Sequence, residues 1–163
     1  MKTSKLIIGL LLSSFIFHAC TTSKQSRVYK RTIDGNWQLQ TVVTEKIPGK
    51  YKAKLFDEAD FNCFIGSNWS FNDRNNLGYY NINKNADECS AIKRNIRWSI
   101  YEATATEPKL LQFKRLNDKY KDIDDGAGYR FTILKLDDNS MQLRSDIVFE
   151  GKPASFIYNF VRN

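Results

Sequence analysis

The chain has 163 residues, of which 42% are hydrophobic and 26% charged. That is the size and composition of one globular domain rather than of a disordered or fibrous chain. The net charge of +7 is concentrated at the N-terminus: from Thr32 onward there are 19 basic and 18 acidic residues, which argues against the clustered basic face of a nucleic-acid binder.

At the N-terminus, Lys2 and Lys5 precede an apolar run at 6–17. The run is shorter than the ~20 residues a membrane-spanning helix requires and suits the h-region of a secretory signal. Ala19-Cys20, followed by Thr21-Thr22-Ser23, resembles a bacterial lipobox. Residues 1–19 are therefore read as a lipoprotein signal peptide and Cys20 as the lipidation site. Residues 20–33, with Lys24, Arg27, Lys30 and Arg31, are read as a flexible basic tether suited to anionic headgroups or to plain solvation. The alternative is an ordinary signal peptide with an incidental cysteine. No second apolar stretch is long enough to span a bilayer. The expected location is the bacterial cell envelope, anchored to a membrane through Cys20. The outer membrane is the expected membrane, and the absence of an acidic surface-export run after Cys20 favours a periplasm-facing position.

Cleavage before Cys20 removes His18, the only histidine. Histidine-based triads, metal sites and general bases are then unavailable. It also leaves Cys63 and Cys89 as an even pair in an oxidising compartment, where a disulfide is expected. Two buried thiols are the alternative.

From Asp34 onward the chain reads as short alternating runs separated by turns, the pattern of antiparallel β structure. Strand 35–43 would place Trp37, Leu39, Thr41 and Val43 on one face. Residues 54–61, with Leu55, Phe56 and Ala59, suit one helical turn or a covering loop. Strands follow at 68–72, at 77–84 with Tyr80 and Ile82, at 95–102 with Ile96, Trp98 and Ile100, and at 109–116 with Leu111 and Phe113. An acidic turn at 117–128 leads to 128–136 with Tyr129, Phe131 and Ile133. Met141 and Leu143 mark 140–144, and Phe156, Tyr158 and Phe160 mark 154–162.

Eight sequential strands with short connections favour an up-and-down antiparallel barrel, which closes on itself and leaves no edge. A two-sheet sandwich would need longer crossing connections. Domain 34–163 is thus expected to be an all-β, eight-stranded barrel.

Gly35-x-Trp37 on the first strand resembles the G-x-W signature of the lipocalins, and Arg162 on the last strand resembles the arginine that packs over that tryptophan. The block Cys63-Phe64-Ile65-Gly66-Ser67-Asn68-Trp69-Ser70-Phe71, with Gly78-Tyr79-Tyr80, Cys89 and Ile96-Arg97-Trp98, is similar to the lipocalin-like lipoproteins of Bacteroidetes-type bacteria. The resemblance implies a lipocalin-like calyx over 34–163.

Inward positions Trp37, Trp69, Phe71, Tyr80, Trp98, Phe113, Tyr129, Phe131, Phe156, Tyr158 and Phe160 would each bury about 150–250 Å². Two functions follow. In one, the barrel carries a small hydrophobic molecule in an aromatic lumen, with Trp37, Trp69, Phe71, Tyr80, Trp98, Phe113, Tyr129, Phe131 and Tyr158 as ligand-binding residues. In the other, the lumen is filled and the protein is a structural, protein-binding or glycan-binding module of the envelope. The acidic residues Asp118, Asp122, Asp124 and Asp125 do not fit an EF-hand frame and suit a hairpin turn. Asn68-Trp69-Ser70 is a glycosylation sequon of no expected use in a bacterial lipoprotein. Nothing in the linear sequence brings Glu102 and Glu107 together for acid–base work. No enzyme activity, cofactor, metal or nucleic-acid partner is expected, and the oligomeric state is open.

Overall fold

The computed structural model describes residues 23–47, 53–83, 88–102, 104 and 106–163; the expected signal peptide at 1–19 and lipidation site Cys20 lie outside the described residues. Within the expected flexible tether, the residues from Lys24 onward are ordered. They form helix α1 (Lys24–Ile33). Ser23 caps it by accepting from the Ser26 amide at 3.0 Å, and Lys30 and Arg31 in the last turn complement the helix dipole. Ser26 and Ile33 are buried and Tyr29 packs against the core, and this docking makes so short a helix stable.

After Asp34 the chain enters β1 (Gly35–Glu45). An excursion then carries β2 (Lys54–Leu55), β3 (Ala59–Asp60) and the single turn α2 (Phe61–Phe64). The remaining strands are β4 (Asn68–Asn72), β5 (Leu77–Ile82), β6 (Ile92–Tyr101), β7 (Leu110–Leu116), β8 (Tyr129–Leu136), β9 (Ser140–Phe149) and β10 (Lys152–Arg162). β1 and β4–β10 close into an antiparallel up-and-down barrel in which β1 pairs with both β4 and β10. The eight expected strands are these eight. The region 54–61 is a small hairpin, with the helical turn following it.

Alternation sets the faces, with one correction. Trp37 and Leu39 point inward, but the β1–β10 register shifts between Leu39 and Thr41. The extra residue of this bulge reverses the phase. Val42 therefore packs against the core, while Thr41 and Val43 turn outward, Val43 to 50% exposure.

The turns explain the strand ends. β9 and β10 are joined by Glu150 and Gly151, both at positive φ (49° and 74°), as a tight two-residue hairpin with the twist of its strands requires. Between β8 and β9 the Asp137 carboxylate accepts from the amides of Asn139 and Ser140 at 2.9 and 2.7 Å. The Ser140 hydroxyl also donates to it at 2.8 Å, and that bond first, then the two amides, holds its pKa well below the usual carboxylate range.

One end of the barrel is shut. The Trp37 indole donates to the Ile33 carbonyl at 2.8 Å, and the Arg162 guanidinium lies 4.3 Å from the centre of the Trp37 ring. Arg162 also donates to the carbonyls of Thr32, Asp34 and Asp138, tying the last strand to the end of α1. Gly35 has φ +117°, and a Cβ there would lie 2.6 Å from the Arg162 Nη1. The Gly-x-Trp pattern thus has a steric cause. The other two indoles are also satisfied: Trp69 donates to Ser67 and Trp98 to the Leu77 carbonyl.

Candidate functional site

At the opposite end, the long β1–β4 excursion folds over the barrel mouth. Cys63 on α2 and Cys89 in the β5–β6 connection form a disulfide with a Cα–Cα separation of 5.5 Å. It staples the cover to the neighbouring connection. The two cysteines are 26 residues apart in sequence, and closing a loop of that length contributes roughly 3 kcal/mol by restricting the unfolded chain.

The tip of the β2–β3 hairpin turns through Phe56 and Asp57 with φ of 55° and 53°. This turn sends the Phe56 ring down into the lumen. Its ring centre lies 5.0–6.0 Å from those of Phe64, Trp69, Tyr80, Phe113, Tyr129 and Phe131, mostly edge to face, the favoured arrangement of aromatic quadrupoles. Below it, a void of about 10 Å³ remains, lined in part by Trp69, Phe71, Leu111 and Phe160. That is no more than a single water requires. The deep lumen is filled by the protein's own side chain.

The plug is latched by ions. Arg115 on β7 donates through Nε to both Asp124 oxygens at 3.1 and 2.9 Å and through Nη1 to the Phe56 carbonyl. Glu58, beside Phe56, pairs with Arg94 at 2.5 Å, lies 3.5 Å from Arg115 and accepts from the Tyr80 hydroxyl. The Glu58 and Asp124 side chains are only 6% and 9% exposed. Two cations and two carboxylates therefore share one half-dry cluster, where each buried charge needs its partner. Burial, then the Glu58 carboxylate, pushes the Tyr80 phenol well above its ordinary value. Hydrogen bonding to Asp124 raises the pKa of Arg115 still further.

Beside the plug, the barrel wall opens. The β8–β9 ladder runs from Leu136↔Met141 to Thr132↔Arg144, and toward the mouth the two strands part. The result is a cleft of about 900 Å³ between Tyr129–Phe131 and Ser145–Ile147, floored by Phe156 and Tyr158 and overhung by residues 54–57. Lys54 and Asp57 are the charged groups overhanging it; Arg97, Lys114 and Arg130 alternate with inward Trp98, Phe113 and Phe131 and lie on the outer face, Arg130 over the Tyr101 ring and Lys114 on Asp122. The Tyr158 hydroxyl lies 3.1 Å from Ser145 Oγ, and burial pushes its pKa up to about 12.

Five of the expected ligand-binding residues, Trp98, Phe113, Tyr129, Phe131 and Tyr158, line this cleft. Trp69 and Phe71 border the small void beneath Phe56. Trp37 is sealed into the shut end, and Tyr80 packs under the plug with its hydroxyl on Glu58. Sequence reasoning missed Phe56 as a lumen residue and the whole Arg115 cluster. Among the acidic turn residues, Asp124 serves Arg115 and Asp122 pairs with Lys114 at 3.2 Å. Glu102 is engaged by Lys109, Ser23 and Ser26 at the shut end, which lowers its pKa to about 2. Among the described residues no helix is long and apolar enough to cross a membrane.

A family model described as a lipocalin-like domain matches residues 33–143. Among solved structures, a lipocalin-like protein from Bacteroides uniformis is similar at 12% identity and a TM-score of 0.41, over 78% of this chain and 96% of that one. No curated protein matches the chain.

Proposed function

The chain belongs to the lipocalin-like domain family, and on that premise we propose that it binds a small, mainly apolar molecule in the cleft at the open end of its barrel. The observation that carries this reading is the cleft itself: about 900 Å³, bordered by half-buried Tyr129 and Ile147, backed by buried Phe131, Phe156 and Tyr158 and overhung by Lys54. Its size falls in the range that encloses a small ligand, and its lining pairs aromatic faces with a few polar groups. A planar apolar body with a polar edge matches that surface. The protein holds its ligand at the cell envelope, anchored by lipid on Cys20 in the outer membrane and facing the periplasm. The reaction-bearing groups of an enzyme are not part of this reading.

The filled lumen favours a second reading, in which the barrel is a structural or interaction module of the envelope that works through its surface and takes no ligand. Titration of the full chain with N-phenyl-1-naphthylamine, followed by probe fluorescence, separates the two. Binding that weakens about tenfold or more in Ile147→Trp, which fills the cleft, supports the ligand site. No binding to the parent chain, or undiminished binding to Ile147→Trp, removes the cleft as the site.

A further inference from the structure

Helix α1 crosses the shut end of the barrel from one side to the other. Its C-terminal residue Ile33 is buried beside β1, where Arg162 holds the Thr32 and Asp34 carbonyls. Its N-terminal turn sits at Glu102, between β6 and β7, which accepts from Ser23 and Ser26 and pairs with Lys109. In the closed strand order, β7 stands four places from β1, so the two ends of the helix rest on opposite walls. Ser26, Tyr29 and Ile33 face the barrel. Lys24, Arg27, Val28 and Arg31 are exposed, at spacings of three, four and seven residues that place them on one helical face. That face points away from the mouth.

We propose that this stripe is a docking surface for an anionic lipid bilayer, which seats the barrel with its shut end on the membrane and its open cleft directed away. Two observations carry it. The first is charge: the helix has three exposed cations in line and no acidic residue, and basic groups next to a membrane anchor bind anionic headgroups. The second is where the chain goes. Residues 1–22 leave from the N-terminus of this helix, and they include the apolar run 6–17 and Cys20. Only three residues separate Cys20 from Lys24, so at ~3.3–3.6 Å per residue an anchor on Cys20 holds the helix within about 14 Å of the bilayer. A rigid helix in place of a flexible tether converts that attachment into an orientation. Around it, Asp73, Glu107, Asp137 and Asp138 in the neighbouring turns outnumber Arg74 and Lys135, so the exposed basic charge of this end is concentrated on the helix. The orientation rests on the lipid anchor proposed at Cys20 and holds whether or not the cleft is occupied.

Lysine acetylation footprinting tests it. The full-length protein is placed in vesicles of phosphatidylcholine, with or without 30% phosphatidylglycerol as an on-the-order-of envelope charge density, and labelled with a water-soluble acetylating reagent. The expected result is labelling of Lys24 suppressed at least about threefold by the anionic lipid, with exposed Lys119, Lys121 and Lys152 at the mouth unchanged. The double variant Arg27→Gln/Arg31→Gln, altered only at exposed positions, should lose that suppression. Equal labelling of Lys24 in both vesicles, protection of the mouth lysines instead, or full suppression in the double variant overturns the proposal.

Discussion

Arg115 Nη1 donates to the carbonyl oxygen of Phe56, 59 residues earlier in the chain, so a cation on the barrel wall holds the lumen plug by its backbone. Asp124 neutralises that cation from the other side. Removing one member of such a pair strands the other in a poorly solvated site. Asp124→Ala should therefore cost about 3 kcal/mol in urea unfolding, and Arg115→Met/Asp124→Leu should recover much of the loss. A single-variant cost near zero would mean that the latch is solvated and idle.

The plug itself is testable. Phe56→Ala removes a ring that is 7% exposed and touches six others, which should cost about 3–5 kcal/mol. The apolar void left behind should stay dry and accept a small aromatic molecule. Saturating toluene should then raise the urea midpoint of Phe56→Ala and leave the parent chain unmoved. An identical response of both proteins to toluene would show that Phe56 does not occupy the lumen.

At the shut end, Gly35→Ala forces a side chain into a positive-φ position and against Arg162. The expected loss exceeds about 1 kcal/mol, measured as a lower Tm. The same substitution at Gly151, whose added Cβ meets no neighbour, keeps the φ strain alone and should cost less.

Acid should loosen the attachment of α1. The Glu102 pKa is lowered from 4.5 to about 2, first by Lys109 and then by Ser23 and Ser26. A carboxylate depressed in the folded state contributes stability above its unfolded pKa, and that contribution is lost as pH falls through the folded value. Between pH 4.5 and about 2, the denaturant midpoint of the parent chain should fall more steeply than that of Glu102→Gln. Parallel curves would show that Glu102 does not hold the helix.

The barrel was legible because one physical rule governs most of it: each strand buries alternate residues, and turn residues punctuate the strands. All eleven aromatics expected to point inward are buried or half-buried. The rule failed where the backbone leaves strict alternation. The bulge after Leu39 has no glycine or proline to announce it, so Val43 was placed on the wrong face. Phe56 sits at positive φ in a hairpin without a glycine or asparagine at its tip, which hid both the turn and the plug. Helix α1 did leave a signal: Ser23 as a cap, and Ser26, Tyr29 and Ile33 at helical spacing. Its polar, basic composition read instead as a solvated linker. The Arg115 cluster joins the β2–β3 hairpin and the β7–β8 connection to side chains on β5, β6 and β7, and no local pattern carries such a meeting.

The cleft's role is tested most directly by native mass spectrometry of the protein isolated from the envelope of its own host. Ligand binding at the open end requires a mass beyond that of the covalent protein, present under native conditions and lost on denaturation, while any lipid bound to Cys20 remains. Ile147→Trp, isolated in the same way, should carry none of the excess. A parent chain that shows only its covalent mass would contradict the ligand-binding account and leave a barrel filled by Phe56.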